Sequence, residues 1–473
     1  MKPHKIYVAG KFISTDKTLE VINPYTQKVE GTTYMASLEN LEDAIAEGQA
    51  AEKTMKALPA YKRYEILHHI ALAIQQKANI FSDTLAMEAG KPIRYAKAEV
   101  NRAIQTFIVA AEETKRLPAE FISLDWTPEA ANKEGIVKYF PVGLSAGISP
   151  FNFPLNLAVH KIAPAFATAC PIVLKPASNT PLTTLLLAEI IDNTALPKGA
   201  FSVLPMDREV GNNMVTDDRF KLLTFTGSPE VGWQMKARAG KKKVVLELGG
   251  NAGAIICQTA DIESAAKRCL MGAFAYSGQI CIHTQRIFVH SSKYDAFVNA
   301  FLPLVKNLKI GNTRDMQTDF SVMIDEKNAI RVASWIDEAV QQGAKVRHGG
   351  NRKGNFVDPT VITDTNKDMK VNYEEVFGPV VTIIPFDNFE NAVEELNYGK
   401  YGLQSAVFTK DMDEINYGFN HIETGGIIIN DVPTFRVDHM PYGGVKDSGM
   451  GREGVKYAMH DMLEARLLVK NIT

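Results

Sequence analysis

The feature that most constrains this chain is an alternation of short apolar runs with helical segments that begins at Gly143. GLSAGISP, PIVLKPAS, AFSVLPM, LLTFTGS and KKVVLELGG read as buried strands, each a brief apolar run bounded by turn-forming or polar residues. PLNLAVHKIAPAFATA, TPLTTLLLAEIIDNT and EVGWQMKARAG repeat their apolar residues at helical spacing. A second set follows, with AGAIICQT, QRIFVHS, VVTIIPFD, SAVFTK and GGIIIN as strands. Its helices are DIESAAKRCLMGAFAYSG, SSKYDAFVNAFLPLVKNL and DEKNAIRVASWIDEAVQQG. Alternation of this kind favours parallel, doubly wound sheets. Two sets predict an α/β protein with two domains, with ligands at strand C-terminal ends and in the cleft between them.

The rest of the chain fits around that frame. KIYVAGKF and LEVINPYTQKV read as short strands, with Asn23-Pro24 as a turn. From Leu41 to Leu117 the pattern is helical. There YKRYEILHHIALAIQQKANIFSDTLAMEAG reads as one helix, ended by Gly90 and Lys91-Pro92. FISLDWTPEAANKEGIVKYFPVG reads as a polar hairpin, an arm that reaches another subunit. At 473 residues the chain exceeds one ordinary domain, and its 45% hydrophobic content is enough for large cores.

A formal net charge of −2 gives no global reason to expect nucleic acid or an anionic membrane as partner. No apolar run reaches the ~18 residues of a membrane span, and MKPHKIYVAGKF lacks a signal-peptide core, so a cytoplasmic protein is expected. Four scattered cysteines and histidines without ligand spacing predict neither a disulfide scaffold nor a metal site.

Four local features stand out, although each has an ordinary structural explanation when taken alone. Cys281 follows a predicted helix and a glycine in YSGQIC, which suits a nucleophilic thiol. Glu247 ends the apolar strand in VVLELGG, where burial would raise its pKa and equip it as a general base. Asn152 sits in SPFNFP, where two prolines restrict the backbone around one amide, a possible oxyanion donor. TGSPEVG places Gly227, Ser228 and Gly232 between a strand and a helix, a phosphate-binding context that is not G-x-G-x-x-G.

In combination these segments resemble the aldehyde dehydrogenase superfamily through nearly the whole chain. SPFNFP, KPAS, FTGS, LELGG, GQIC and EEVFGP occur in family order, followed by PYGGVKDSG and GRE. The resemblance implies a cofactor domain with a five-stranded Rossmann variant over residues 1–118 and 141–248, and a catalytic domain over 249–454. It also implies an oligomerisation arm from 119–140 and 455–473, built from the Phe121–Phe140 hairpin and the Leu463–Thr473 strand. A homodimer or homotetramer follows.

By the same resemblance Cys281 attacks the aldehyde carbon, and Asn152 with the Cys281 N–H holds the oxyanion. Glu247 activates the water that opens the thioester, and Glu453 relays the proton. The cofactor is NAD or NADP. Lys175 and Glu375 match the residues that hold its ribose hydroxyls, and Phe377 packs beside the nicotinamide ribose. Gly227, Ser228 and Gly232 meet the pyrophosphate, with Ser149 and Pro150 beside it.

The chain departs from the common pattern in two places. Ser178 stands where strict NAD users often carry glutamate, and Arg208 follows the next strand in a loop without Pro-Gly-x-Gly, so NADP tolerance is expected. The substrate pocket is expected to carry Arg102, Asn156, His160, His283 and Arg436 in place of apolar residues. Arginine forks favour carboxylate, phosphonate, sulfonate or phosphate, so a positive pocket for a small anionic or hydroxylated aldehyde is predicted. RAGKKKVVLELGGNAG and FRVDHMPYGGVKDSG resemble the branch with lactaldehyde and phosphonoacetaldehyde dehydrogenases. The alternatives are a CoA-acylating semialdehyde dehydrogenase, against which Glu247 argues, and a non-catalytic binding or structural descendant, against which the intact Asn152, Glu247 and Cys281 argue.

Overall fold

The apolar runs after Gly143 assemble in the order their burial demands. In this computed structural model, which describes residues 3–472, the wholly buried strand Ser145–Ile148 lies at the centre of the first sheet. Ile172–Lys175 pairs with it on one side and Leu222–Thr226 on the other, both parallel. Phe201–Val203 and Lys243–Glu247 extend the parallel set outward. Side chains buried on both faces explain why these strands read as continuous apolar runs. The order reverses between Ser145–Ile148 and Leu222–Thr226, so a topological switch point opens where the Ser149–Asn152 segment leaves the sheet. Ile6–Val8 and Lys11–Ile13 close one edge antiparallel, and Gly449–Met450 closes the other against Lys243–Glu247.

The second sheet runs Lys345–His348, Thr360–Thr363, Val380–Phe386, Thr284–His290, Ala252–Ile256, Gln404–Phe408, Gly426–Ile429. All neighbours are parallel except the first pair. A separate antiparallel sheet joins Ala119–Ser123, Lys133–Pro141 and Leu463–Asn471. Among the described residues no helix is long and apolar enough to cross a membrane.

Several elements differ from the sequence reading. The long helix after Leu58 is two, Ala60–Gln76 and Ala78–Glu88, broken at Lys77, whose backbone (φ −102°, ψ 15°) leaves the helical region. Arg208 does not lie in a loop. It opens the helix Arg208–Thr216, capped by the Asp207 carboxylate accepting from Val210 N–H at 3.0 Å. Val455–Asp461, expected in the arm, is a helix packed on Ile93–Thr114 and Asn156–Ala167, so the arm strand begins only at Leu463. Met1, Lys2 and Thr473, at the ends of the expected domain and arm segments, lie outside the described residues.

Candidate active site

A cleft of about 570 Å³ opens at the switch point. Ser149, Pro150, Asn152, Gly227 and Ser228 line it from the first sheet, and Cys281, Glu375 and Phe377 from the second body. Its polar groups suit a dinucleotide. The Ser149 hydroxyl is buried without a partner. Ser228 is the N-cap of the helix Pro229–Arg238 and bonds none of that helix's N–H groups, so the helix end faces the cleft with free donors. Any Cβ at Gly227 would meet the Phe225 ring at 2.4 Å, so only glycine fits this turn. Glu375 accepts from Gly250 N–H at 2.8 Å, and burial pushes its carboxyl up to about 8. Phe377 is held edge-on by Phe151, with ring centroids 5.9 Å apart.

Gly232 has a different place from the one expected. It is buried under Leu248, whose Cδ2 lies 2.4 Å from where a Cβ would be. It lets the helix approach the strand end and does not line the cleft. Lys175, largely buried, runs along Gly211 of the helix Arg208–Thr216, and Arg208 at the start of that helix is exposed. Ser178 is half-buried in the turn after Lys175.

Cys281 is presented by a left-handed turn. Tyr276, Ser277 and Gly278 have φ of 48°, 53° and 68°. Such backbone costs non-glycine residues on the order of 1–3 kcal/mol each. Two buried bonds offset it: Tyr276 Oη donates to the Ala89 carbonyl (2.7 Å) and Ser277 Oγ to that of Ser321 (2.8 Å). At Gly278 a Cβ would fall 2.2 Å from the Gly378 oxygen, and at Gly250 2.0 Å from that of Cys281. Cys281 emerges half-buried, its Sγ 3.0 Å from Tyr442 Oη. Burial pushes its thiol up to about 12.

Asn152 is fixed from three sides. Its Oδ1 accepts from Phe153 N–H (3.1 Å), which orients Nδ2 toward the Gln279 carbonyl (3.0 Å), two residues before Cys281. Lys91 Nζ donates to its backbone carbonyl (2.7 Å). Lys91 is fully buried, paired with Glu99, and stacked over the Phe153 ring at 3.8 Å. Glu99 accepts from Leu155 and Asn156 N–H, capping the next helix. Sequence reasoning took Gly90-Lys91-Pro92 only as a helix stop.

Glu247 ends its strand opposite Thr226, buried, with neither carboxylate oxygen bonded. Burial first, and then the nearby Glu453 charge, hold its pKa well above the usual carboxylate range. Glu453 is equally buried. It accepts from Arg436 (2.9 Å) and from Lys161 (3.4 Å), and the Lys161, His160 and Arg436 charges hold it below that range despite its burial. Lys161 also donates to Thr226 Oγ1 (2.7 Å). It was missed, although a lysine inside the largely apolar segment PLNLAVHKIAPAFATA was a signal that a buried charge had a partner.

Arg102, Asn156 and His160 come together on a second missed residue, Asp438. Its carboxylate accepts from Arg102 at 2.7 Å and from Asn156 at 3.2 Å, and meets His160 Nε2 at 2.7 Å. Arg436 lies over the Tyr442 ring at 3.6 Å. The expected polar cluster forms, but its positive character is offset by Asp438 and Glu453. His283 is not in it. Its buried ring faces the Ala273 backbone, and burial brings its pKa down to about 3.

The structure thus brings a half-buried cysteine, a fixed amide and a buried unbonded carboxylate to a cleft at a switch point, an arrangement suited to an enzyme that binds a nucleotide cofactor. Residues 12–468 match the aldehyde dehydrogenase family, and the chain belongs to it. It is 42% identical over 473 residues to the 3-sulfolactaldehyde dehydrogenase of Priestia megaterium, covering 100% of this chain and 99% of that protein. The lactaldehyde dehydrogenase of Methanococcus aeolicus is 38% identical over 473 residues, covering 98% and 100%. Among solved structures, aldehyde dehydrogenase 21 from Physcomitrella patens, in complex with the reaction product succinate, superposes with a TM-score of 0.98 at 47% identity, covering 100% and 99%. Glyceraldehyde-3-phosphate dehydrogenase GapN from Methanocaldococcus jannaschii, complexed with NADP, does so at 0.91 and 38%, covering 96% and 99%. The chain is an NAD(P)-dependent aldehyde dehydrogenase of the lactaldehyde-like branch.

Proposed function

We propose that the protein oxidises a small aldehyde carrying an anionic or hydroxyl group to its carboxylic acid, hydrolysing a thioester on Cys281. One observation carries the substrate class. Arg436 is buried with an unpaired Nε and lies over Tyr442, whose hydroxyl touches the Cys281 sulfur. A guanidinium one side chain from the nucleophile suits the far end of a short anionic aldehyde. Three relatives agree in chemistry: sulfolactaldehyde, succinate and glyceraldehyde 3-phosphate, named for them, are all anionic.

In this reading Cys281 Sγ adds to the aldehyde carbon. Asn152, which lines the cleft, has a second amide N–H to give, and with the Cys281 N–H it stabilises the developing oxyanion. Ser149, Ser228, Glu375 and Phe377 hold the cofactor, with Lys175 toward its adenosine end. When bound, NAD(P) supplies the hydride acceptor. Glu247, ionised, takes the proton of the water that opens the thioester. Glu453, anchored by Lys161 and Arg436, acts by keeping Glu247 a strong enough base. Arg102 and Arg436 recognise the anion, each exchanging part of its internal carboxylate pairing for the substrate. With serine at 178 and Arg208 near Lys175, both cofactors are accepted.

We also assign cofactor binding to the first sheet, catalysis to the second and assembly of a cytoplasmic homodimer or homotetramer to the arm. A panel of anionic, hydroxylated and plain aldehydes, assayed with NAD and NADP and without CoA, tests the function. Acid formed fastest from anionic substrates supports it, and a CoA requirement or a preference for plain aldehydes refutes it.

A further inference from the structure

Tyr442 belongs to none of the roles above, yet its hydroxyl is the only polar side-chain group bonded to the Cys281 sulfur among the described residues. Its position is tightly held. Its backbone pairs with that of Glu453 in both directions (3.0 and 2.6 Å), and the ring is clamped by Arg436 at 3.6 Å. Ile282 and Leu403 pack around it, and Tyr442 is buried. Burial and the Glu375 and Glu247 charges oppose a thiolate here, and apart from Tyr442 only the Arg436 charge favours it.

We propose that Tyr442 is a further catalytic residue, which donates its phenolic hydrogen bond to the Cys281 thiolate and makes that thiolate attainable in a water-poor site. This deepens the function proposed above and rests on Cys281 being the nucleophile. A cation on the ring face draws electron density from the phenol and strengthens the O–H as a donor. Tyr442 keeps its proton, because burial raises its own pKa well above the usual range. Hydrogen bonds to ionised groups are about twice as strong as neutral ones, so the bond favours thiolate over thiol.

The test is alkylation of the full-length enzyme by iodoacetamide across pH, with the labelled cysteine mapped by mass spectrometry. Tyr442→Phe keeps the ring, its stacking and its backbone bridge. The expected result is an alkylation profile at Cys281 moved up by about one unit, a roughly tenfold slower reaction below the inflection. An unchanged profile with the label still on Cys281 overturns the tyrosine's role and leaves the nucleophile intact. A wild-type label that maps to another cysteine overturns the nucleophile itself, and the tyrosine's role with it. If Tyr442→Phe does not fold, 3-fluorotyrosine incorporated in place of tyrosine makes the phenol a stronger donor with almost no change of shape. It should move the Cys281 profile down, and no movement overturns the proposal.

Discussion

Glu247 and Glu453 lie close enough to shift one another, yet their environments drive them apart. Glu453 has two cations, and Glu247 has no bonded partner. A general base must be ionised, so the rate of acid formation should rise with pH until the elevated Glu247 pKa is passed. Glu453→Gln removes the repelling charge, and the inflection should fall to lower pH in a steady-state pH profile. Glu247→Gln should slow hydrolysis by about 10²–10⁴-fold. Stopped-flow traces would then show a burst of reduced cofactor followed by a slow phase, and a thioester detectable on Cys281. A linear trace at the wild-type rate contradicts the assignment.

At the scale of elements, Asp438 ties the helices Ile93–Thr114 and Asn156–Ala167 together through Arg102, Asn156 and His160. Bonds from His160, and then its charge and that of Arg102, depress the Asp438 carboxyl despite burial. A depressed pKa adds stability that is complete above the unfolded value of about 3.9 and is lost as pH falls toward the folded one. Asp438→Ala leaves the partly exposed Arg102 guanidinium and the buried Asn156 and His160 groups without their acceptor, and should cost about 1–3 kcal/mol near neutral pH. Urea denaturation should show this gap narrowing below about pH 4, where protonation of the carboxyl in the unfolded chain begins to offset the pairing. A gap that is constant in acid would be inconsistent with the ion pair.

Elements with strong periodicity and buried strands were legible, because a parallel sheet writes itself as apolar runs. The break at Lys77 was not, since two consecutive helices share one apolar stripe and no proline or glycine marks the join. Of the site, Cys281, Asn152 and Glu247 were legible through their motifs. Asp438, Lys161 and Tyr442 were not. Their importance lies in partners 278, 292 and 161 residues away in sequence, which spacing cannot reveal.

For the whole molecule, the strand Leu463–Asn471 extends the arm sheet with Leu467, Leu468 and Val469 exposed. Exposed apolar strands of this kind call for a covering partner. Deleting residues 463–473 should therefore give monomers in analytical ultracentrifugation, and an unchanged sedimentation coefficient would remove the arm's assigned role. The proposed tolerance of both cofactors rests on Ser178 and Arg208. The NAD to NADP ratio of kcat/KM should stay within about a hundredfold, roughly 2.7 kcal/mol.

The most direct test of the central reading is kcat/KM for an anionic aldehyde and for propanal, compared in wild type, Arg102→Ala and Arg436→Ala. The wild type should favour the anionic substrate. Each variant should raise KM for that substrate far more than for propanal, with Cys281-dependent turnover retained. Equal effects on the two substrates, or a wild-type preference for propanal, would contradict it.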